Sequence, residues 1–364
     1  MKVFWVFNHP APYKVNFFNL LGKEVDLTVY FERNKENDRP DSFYYENQYN
    51  FKTLDFPGIN IGRIDNYHPG VVKHLLENEY DVIVINGWRT LTEMKIIKSL
   101  QKYHIPYVFA INGGIIPPRE NTIKRKLKTK HIANAAYYLA PDQNSAAYLI
   151  HYGAKEQNIH LYPYSSIFEK EINPNPLSED EKFEIKKKYD LEEKQIYISP
   201  SLISKRKNID SLLKAWENIH PNKVLLIAGN TDKNHQLKLS SKNLELNNVK
   251  ILPFINHDEL LTLFRAAEYC LFPTHYDIYG HVVNEALSQG LPVIGSAGSN
   301  AVKNLIKNKE NGFIIDYSNP DELLKIINQE KDEMMHFSCV ETAKKNTLEA
   351  MVQDHLSFLK ELVK

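Results

Sequence analysis

The sequence has few cysteines and no net charge. Cys270 and Cys339 are the only cysteines among 364 residues, too few for a disulfide framework or a zinc motif. Cys270 lies in the apolar run Tyr-Cys-Leu-Phe, where a buried thiol is expected, and such sparse cysteine usage suits a reducing compartment. Lysine plus arginine equals aspartate plus glutamate at 45 each. Net charge therefore indicates neither an acidic tail nor a nucleic-acid partner, and we expect no nucleic acid to bind.

Long hydrophobic runs are also missing. The first apolar run covers Val3–Phe7 and is too short for a signal peptide, and nothing approaches the roughly 20 apolar residues that a membrane span needs. Hydrophobic residues make up 43% of the chain and charged residues 25%, the balance of a globular protein that can fill a sizeable core. We therefore expect a cytoplasmic protein of two domains, which at most lies on the inner face of the plasma membrane.

Two phosphate-binding fingerprints are absent as well. Neither G-x-G-x-x-G nor G-x-x-x-x-G-K-S/T follows any predicted strand, which argues against a hydride-transfer enzyme and against a P-loop NTPase. The sequence has no D-x-D and no cluster of histidines or carboxylates with metal-ligand spacing. We therefore expect no metal and no other cofactor.

What is present is an alternation of short apolar runs with amphipathic stretches. The apolar runs span 3–7, 26–31, 81–85, 107–110 and 136–140 in the first half, and 195–199, 223–229, 249–254, 268–273, 291–295 and 312–316 in the second. Continuous apolar strands that alternate with helices are typical of parallel sheets covered on both faces. The chain is therefore predicted to be an α/β protein with two doubly wound, Rossmann-like domains.

Interruptions of this rhythm indicate the domain boundaries. Segment 169–188 has two prolines and a run of charges, a composition typical of a linker followed by a polar helix. Ser338 and Glu341 have capping-box spacing, which predicts one long helix from Ser338 to the end of the chain. We expect a first domain, a linker, a second domain and a terminal helix: 1–168, 169–182, 183–337 and 338–364. Ligands of such sheets bind at the carboxyl ends of strands, so functional residues are expected just after the strands.

The stretch His275–Ser296, HYDIYGHVVNEALSQGLPVIGS, carries two carboxylates eight positions apart. Asp277 lies in the loop after a predicted strand, and Glu285 lies one turn into a helix that begins near His281. Gly280 permits a backbone geometry that other residues resist, and the first amides of the helix form an anion site. Carboxylates beside such a site are poor phosphate ligands but good acceptors for sugar hydroxyls. The pattern therefore suits a nucleotide sugar, with its diphosphate between hexose and ribose.

This stretch resembles the signature of retaining GT-B glycosyltransferases of family 4, the group 1 transferases. Their E-x7-E motif, small-residue helix and G-x-P-V turn correspond to Asp277, Glu285 and the following ALSQGLPVIG. The resemblance implies a GT-B fold, with a cleft between the two domains and a C-terminal helix that crosses back to the first. It implies that Asp277 contacts the donor sugar, that Glu285 binds the ribose, and that the diphosphate is held around Tyr279, Gly280 and His281. Asp277 departs from the usual glutamate by one methylene.

A second element of the family follows the first strand of the second half. The segment SPSLISKRKNIDSLLKAW resembles G-R-L-x-x-x-K-G, whose arginine and lysine bind the leaving diphosphate. Lys207 stands at the lysine position, whereas the arginine position falls on Ser201, and Arg206 or Lys205 can substitute there. Basic residues at a helix start oppose its dipole, so three of them call for an anion. Fixed cations would stabilise the charge that grows on the departing phosphate; a solvated basic helix start is the alternative.

Two further residues are assigned to the donor side. Phe254 lies in KILPFINHDEL, which resembles the loop that brackets the nucleotide base in the family, although Phe254 can equally be a core residue. Gly229 ends a predicted strand of the same domain.

Candidate acceptor residues follow the strands of the first domain, to which the resemblance assigns acceptor contacts and part of the diphosphate site: His9, Tyr13, Asn86, Asn112, Gly113 and Gly114. The Gly-Gly pair would let the backbone approach a ligand closely. Asn112 stands where many relatives carry a histidine, so no general base is evident, and the departing phosphate can accept the proton of the acceptor. Polar turn residues without a ligand are an equal alternative.

Segment 119–135 is strongly basic in a neutral chain. It carries six basic residues and one acid, a local charge of six minus one, or +5, and Ile123, Leu127 and Ile132 recur at helical spacing. A basic amphipathic helix is typical of binding to an anionic membrane surface, where a lipid-linked acceptor would be found. A solvated helix face is the alternative.

The sequence thus predicts a retaining, metal-independent glycosyltransferase. It would move a sugar from a nucleotide sugar, with UDP as the nucleotide, to a glycan or lipid-linked acceptor in bacterial capsule, exopolysaccharide or lipopolysaccharide synthesis. One alternative is a UDP-sugar 2-epimerase or a phosphorylase on the same architecture. The other is a non-catalytic, glycosyltransferase-like partner subunit, which the departures at Ser201 and Asp277 keep open.

Overall fold

The computed structural model describes residues 1–35, 44, 48–61, 65–200, 203–229, 247–253 and 255–364. The chain divides into two compact units: unit 1 combines Met1–Ser166 with Leu348–Lys364, and unit 2 is Ile167–Thr347. Each unit is built on a parallel β-sheet with helices between the strands. The predicted fold class of two doubly wound α/β domains is confirmed.

Unit 1 contains nine strands and six helices within its described residues. The strands are β1 Lys2–Phe7, β2 Asp26–Phe31, β3 Lys52–Leu54, β4 Ile59–Ile61, β5 Asp65–Tyr67, β6 Val82–Asn86, β7 Val108–Ala110, β8 Tyr137–Ala140 and β9 Ile159–Leu161. The helices are α1 Pro12–Leu21, α2 Pro69–Glu77, α3 Leu91–Lys102, α4 Thr122–Ile132, α5 Gln143–His151 and, at the end of the chain, α13 Leu348–Leu362. Seven strands form one parallel sheet in the order β3-β2-β1-β6-β7-β8-β9, and β4 pairs with β5 in an antiparallel hairpin.

Strand β1 lies inside the unit 1 sheet, between β2 and β6. Its residues Val3–Phe7 are all apolar and buried, as a strand covered on both faces requires. Trp5 packs edge-on against Phe17 and Phe18 of α1, with ring centroids 5.6 and 5.4 Å away. His355 of α13 lies with its ring centroid 4.8 Å from that of Phe17. Helices α1 and α13 therefore pack together over the Trp5 side chain.

Unit 2 contains the remaining six strands and seven helices of the described chain. The strands are β10 Gln195–Pro200, β11 Lys223–Ala228, β12 Val249–Leu252, β13 Tyr269–Phe272, β14 Val293–Ser296 and β15 Gly312–Ile315. The helices are α6 Glu179–Lys187, α7 Ile209–Trp216, α8 His257–Arg265, α9 His281–Ser288, α10 Asn300–Leu305, α11 Pro320–Ile327 and α12 Met334–Lys344. The parallel sheet has the order β12-β11-β10-β13-β14-β15.

The order of this sheet creates a ligand-binding edge beside β10. The chain builds outward through β11 and β12 and then returns to place β13 on the other side of β10. In doubly wound sheets, ligands bind at the carboxyl ends of the strands where the order reverses in this way. Here those ends lead into a short 3-10 turn, Lys205–Lys207, and into the loop that precedes α9.

The short strands at the margins of unit 1 are absent from the sequence prediction. Strands β3, β4, β5 and β9 have three residues each, and the outer sheet strands β3 and β9 have no buried residue. An edge strand that buries no side chain produces no apolar run, so hydrophobic patterning does not predict it.

The prediction of one helix over 338–364 is wrong. Helix α12 ends at Lys344, α13 begins at Leu348, and Ser338 lies inside α12 rather than at a helix start. Asn346 accounts for the break, because its side-chain Nδ2 donates to the Thr342 carbonyl at 2.9 Å. Its own carbonyl accepts from Asn284 Nδ2 at 2.7 Å. Such side-chain hydrogen bonds compete with the next helical turn.

Candidate active site

Several hydrogen bonds join the loops that follow β10 and β13. The Arg206 carbonyl accepts from the His275 amide at 2.9 Å and from Thr274 Oγ1 at 3.2 Å. Asn208 Nδ2 donates to the Pro273 carbonyl at 3.1 Å. Asn208 has a left-handed backbone with a φ of 56°, which asparagine adopts more readily than most residues. These contacts hold the short basic turn beside the loop after β13.

Asp277 forms ion pairs with two of the predicted cations. Lys207 Nζ lies 2.7 Å and Arg206 Nη1 lies 3.1 Å from the same carboxylate oxygen, Oδ2. The Asp277 and Lys207 side chains are only 15% and 12% exposed, so salt screens this pair less than a surface pair. Lys207 Nζ also lies 4.8 Å from the centroid of the Phe272 ring. Residues predicted from two separate motifs therefore meet at one point.

The Asp277 carboxylate is ionised at neutral pH. Burial would raise its pKa, but the charge and hydrogen bond of Lys207, followed by the charge of Arg206, hold that pKa below the usual 3.8. The second carboxylate oxygen, Oδ1, accepts from the Tyr279 amide at 3.3 Å. Two fixed cations thus meet at one point beside the start of α9, which suits an anionic ligand.

The start of α9 is fixed by two glycines. The Asp277 amide donates to the Gly298 carbonyl at 2.9 Å, and a Cβ atom at Gly298 would clash with the His275 carbonyl oxygen. Gly280 precedes α9 with a φ of 107°, in the region that favours glycine. The predicted helix start at His281 is confirmed.

Glu285 is a buried residue of α9, with 9% of its surface exposed, and is not a solvated helix residue. Burial raises the pKa of the Cys270 thiol, and the Glu285 charge adds to that shift; the Glu285 charge also favours a raised pKa of His257 in α8. Burying a carboxylate is costly unless other groups compensate it.

Of the other four predicted donor-side residues, the structure describes Lys205 and Gly229. Lys205 is exposed and forms no ion pair with a described residue, unlike its two basic neighbours. Gly229 follows β11, with a φ of 151° and an amide that donates to the Leu252 carbonyl at 3.5 Å. Ser201 and Phe254 lie outside the described residues.

In unit 1, three of the acceptor candidates lie near the carboxyl ends of β1 and β6. His9 Nδ1 and the Tyr44 hydroxyl are 3.1 Å apart, and the Tyr164 hydroxyl donates to that of Tyr13 at 3.3 Å. Asn86 is the last residue of β6. Because the order of this sheet also reverses beside β1, these residues occupy the edge at which a doubly wound sheet binds its ligand.

The segment after β7 contains the other three candidates. Asn112 buries its side-chain oxygen without a hydrogen-bond partner among the described residues, which is rare for a buried polar atom. Gly113 has a φ of 143°. The backbone of Gly114 is approached closely by the Tyr148 side chain rather than by a ligand, since a Cβ atom at Gly114 would lie 2.5 Å from a ring carbon of Tyr148. The Gly114 amide donates to Ser145 Oγ at 3.1 Å, so internal packing alone explains this glycine.

Two buried carboxylates beside the β6 loop were not predicted as site residues. Thr90 Oγ1 donates to Glu32 Oε1 at 2.5 Å, and the Thr90 amide donates to Glu93 Oε2 at 3.0 Å. Burial raises the pKa of Glu93 to about 7. The Thr90 and Glu93 spacing before α3 is a capping-box signal that the sequence does carry. The third member, Glu32, is distant in sequence and has no such signal.

A buried lysine was also not predicted. Lys14 lies in the first turn of α1 with 1% exposure, and its Nζ lies 4.8 to 5.3 Å from the ring centroids of Phe7, Phe17 and Tyr164. Burial lowers its pKa to about 7. The only sequence signal is a lysine on the apolar face of a helix.

Helix α4 forms most of the basic segment. Lys128 is held internally, since its Nζ donates to Glu120 Oε1 at 2.9 Å and to the Tyr152 hydroxyl at 2.7 Å. Ile123 is 78% exposed and Leu127 is exposed beside it. The other basic residues are exposed and form no ion pair with a described residue: Arg119, Lys124, Arg125, Lys126 and Lys130. These five cations with Ile123 and Leu127 are called the basic helix surface below.

Along the described part of the chain, no helix combines the length and the apolar character needed to cross a membrane. The same residues include no group of three or more histidine, cysteine, aspartate or glutamate side chains placed to hold a metal ion.

Residues 181–346 match the family model described as Glycosyl transferases group 1. The matched residues lie within unit 2 and include Lys207, Asp277 and Glu285. The match therefore covers most of unit 2 and slightly less than half of the chain.

Two curated relatives align with this chain over part of their sequences. The chain is 33% identical over 123 residues to an uncharacterized glycosyltransferase of Haemophilus influenzae, a match that covers 33% of this chain and 34% of the relative. It is 25% identical over 259 residues to the uncharacterized glycosyltransferase MJ1607 of Methanocaldococcus jannaschii, covering 68% of this chain and 65% of the relative. The chain thus spans about a third of one relative and just under two thirds of the other.

A solved structure matches over the full length. HepE of Anabaena in complex with UDP aligns with a TM-score of 0.81 and 17% identity, over 99% of this chain and 100% of that chain. HepE in complex with UDP-glucose aligns with a TM-score of 0.78 and 18% identity over the same shares. At this level of identity the likeness concerns the fold, and it agrees with the predicted GT-B architecture.

Proposed function

We propose that the protein is a glycosyltransferase that takes its sugar from a nucleotide sugar. The observation that carries this proposal is the Asp277 carboxylate paired with both Lys207 and Arg206. The group lies at the strand-order reversal of a glycosyl transferases group 1 domain, directly before the start of α9. It offers fixed cations for a diphosphate and an ionised acceptor for hydroxyl groups within one small volume.

Each residue then has a role in the transfer. Lys207 and Arg206 bind the diphosphate and stabilise the negative charge that grows on it as its bond to the sugar breaks. Asp277 accepts hydrogen bonds from hydroxyl groups of the donor sugar, and Glu285 accepts from the ribose. The departing phosphate takes the proton of the acceptor hydroxyl, so that the sugar is transferred with retention and without a metal or other cofactor.

The donor is a UDP-sugar in this proposal. The basis is the full-length likeness to HepE, which was solved with UDP and with UDP-glucose. The acceptor is a glycan or lipid-linked precursor of a bacterial surface polysaccharide, such as capsule, exopolysaccharide or lipopolysaccharide. The candidate acceptor residues are those at the strand ends of unit 1, with His9 and Tyr13 beside β1 and Asn86 at the end of β6.

The basic helix surface supports the proposal that the enzyme is cytoplasmic and binds the inner face of the plasma membrane. Its five cations have no acidic partner among the described residues, and Ile123 presents an apolar side chain beside them. Cations attract anionic lipid headgroups, and an exposed apolar side chain enters the headgroup boundary. A lipid-linked acceptor would be held at the same surface.

A nucleotide-sugar panel tests this function. We expect UDP and one UDP-sugar to raise the melting temperature of the purified protein, and transfer from that sugar to require an added glycan acceptor. Conversion of a UDP-sugar without any acceptor would indicate an epimerase instead. If no nucleoside diphosphate or nucleotide sugar binds, the chain is a non-catalytic relative.

A further inference from the structure

His257 pairs with a glutamate that is far away in sequence. It is the first residue of α8, directly after the N-cap Asn256, and its Nε2 lies 3.6 Å from Glu171 Oε1. The two side chains are 28% and 20% exposed, so the ion pair is mostly withdrawn from water. Glu171 comes from the short 3-10 turn at the beginning of unit 2.

Glu171 is in turn anchored to the end of α9, the helix that carries Glu285. The Glu171 carbonyl accepts from Gln289 Nε2 at 2.8 Å, and the Asn173 amide donates to the Ser288 carbonyl at 2.9 Å. The other carboxylate oxygen of Glu171 accepts from the backbone at Phe168 at 2.7 Å. The turn 169–171 therefore connects the start of α8 to the end of α9.

Three acidic groups act on the His257 ring: Glu171 from the 3-10 turn, Glu285 from α9, and Asp258 from α8 itself. Burial would lower the pKa of His257, but its contact with the Glu171 carboxylate and the charges of Glu285, Glu171 and Asp258 raise that pKa above 6.5. The Glu171 carboxyl has its pKa held below 4.5, since His257 and the backbone outweigh its burial. His257 thus pairs with the largely buried Glu171 carboxylate, and the charge of the buried Glu285 also favours its protonated form.

We propose that His257 is a positioning residue of the donor site, which fixes the side chain of Glu285 for the ribose of the bound nucleotide. The inference rests on the proposed function, which assigns the ribose to Glu285. His257 ties the turn 169–171 to α8 through its pair with Glu171, and Gln289 and Ser288 tie the same turn to the end of α9. When His257 loses its charge the pair with Glu171 weakens, so α9, which carries Glu285, is held less firmly.

The proposal predicts the direction of a pH effect. His257 is charged below its raised pKa, so its support of nucleotide binding is complete at about pH 6 and is lost as the pH rises through that pKa. The terminal phosphate of UDP ionises in the same pH range. The pH dependence of UDP affinity measured on the wild type alone would therefore not separate the titration of the ligand from that of His257. The ratio of the UDP dissociation constants of two variants at one pH cancels the titration of the ligand.

The test measures UDP binding by calorimetry for the full chain, for His257→Gln, and for His220→Gln as a control at an exposed histidine of the same unit. We expect His257→Gln to weaken UDP binding about tenfold at about pH 6, and less than about twofold at a pH well above the titration midpoint of the His257 ring. His220→Gln should match the wild type at both values. With substrates, KM for the donor should rise while kcat stays unchanged, as expected when ground-state and transition-state binding are lost equally.

Different outcomes overturn different conclusions. If the wild type does not bind UDP, the proposed function fails, and this inference fails with it. If the wild type binds UDP but His257→Gln binds it equally well at about pH 6, or equally weakly at both pH values, the inference alone fails. An NMR titration of the His257 ring in the ligand-free chain adds a measurement independent of UDP: its pKa should fall in Glu285→Gln, and an unchanged pKa would refute the electrostatic coupling.

Discussion

Asp277 uses a single carboxylate oxygen to hold two cations in the ligand-free chain. A diphosphate that approaches Lys207 and Arg206 must compete with that carboxylate, because both are anions that the same donors bind. In the proposed mechanism, the residue therefore has opposite effects on two steps. We expect it to weaken the binding of the bare diphosphate and to orient the cations and the sugar during transfer.

Asp277→Asn is expected to separate these two effects. The variant should bind UDP at least as tightly as the wild type, by up to about fivefold, because one negative charge is gone. Its rate of sugar transfer should fall by at least about 100-fold, because the amide is a weaker acceptor for the donor hydroxyls. Calorimetry with UDP and a transfer assay measure the two quantities on folded protein.

Two further variants complete this comparison. Lys207→Ala should lose both UDP affinity and transfer, and Asp321→Asn, at an exposed position of the first turn of α11, should change neither. Weaker UDP binding in Asp277→Asn than in the wild type would show that Asp277 does not compete with the diphosphate.

We expect Lys14 to destabilise the folded chain at neutral pH. Its pKa is about 7 in the folded chain, against the usual 10.5, so between these values the unfolded chain binds more protons. Stability therefore rises as the pH increases from about 7 to 10.5, and the full cost applies below pH 7. Lys14→Met, which keeps the volume and removes the charge, should raise the free energy of unfolding by on the order of 3 kcal/mol at about pH 6.5.

Urea unfolding at two pH values checks the Lys14 prediction. The gain should shrink by about half at about pH 9, because part of the folded-state cost has then disappeared. Lys98→Met, on the exposed side of α3, is the matched control and should show no gain at either pH. A Lys14→Met gain that is independent of pH would mean that packing rather than charge causes it.

At the scale of elements, the basic helix surface should bind anionic vesicles. Lys124→Glu with Arg125→Glu reverses two of its five exposed cations, and we expect the partition constant for vesicles with anionic lipid to fall by at least about tenfold. Binding should weaken with salt and be absent on neutral vesicles. The control is Lys187→Glu with Lys188→Glu near the end of α6, which reverses the same charge elsewhere. Vesicle flotation measures both, and equal binding to neutral and anionic vesicles would exclude this role.

The sequence predicts an element well when nearby residues determine it, and poorly when contacts with distant segments determine it. The central strands were predictable because a parallel strand buried on both faces is a continuous apolar run, as in β1, β10 and β13. The edge strands β3 and β9 bury no residue and left no such pattern. The break between α12 and α13 depends on the side chain of Asn346 and its contact with α9, which hydrophobic periodicity does not encode.

The same distinction applies to the site. Asp277, Lys207 and Arg206 could be predicted as candidates because each motif has a local spacing. The doubly wound topology brings the ends of β10 and β13 together, and the three side chains form ion pairs there. His257 and Glu171 carry no local signal, since the pair forms between segments 86 positions apart (257 minus 171). Tertiary contacts of this kind become visible only in the folded structure.

At the scale of the whole molecule, the chain leaves unit 1 at Ser166 and returns to it at Leu348. Helix α13 supplies a large part of the apolar cover of α1, with buried residues along most of its length: Leu348, Met351, Val352, Leu356, Phe358 and Leu359. Unit 2 contains all strands of its own sheet and the proposed diphosphate site. The two units should therefore respond differently to the loss of the last helix.

A chain that ends at Thr347 is expected to lose the stability of unit 1 and keep UDP binding in unit 2. Removing α13 exposes Trp5 and the inner face of α1 to water, a loss comparable to several large core truncations at about 2–5 kcal/mol each. Hydrogen exchange, measured peptide by peptide, should show β1 and α1 unprotected and β10 and β13 protected. UDP should still slow exchange around α9. The control is a chain that ends at Glu361; it lacks only the last three residues and should behave like the wild type. If UDP no longer protects α9 in the chain that ends at Thr347, but still does so in the control, the donor site needs unit 1 as well.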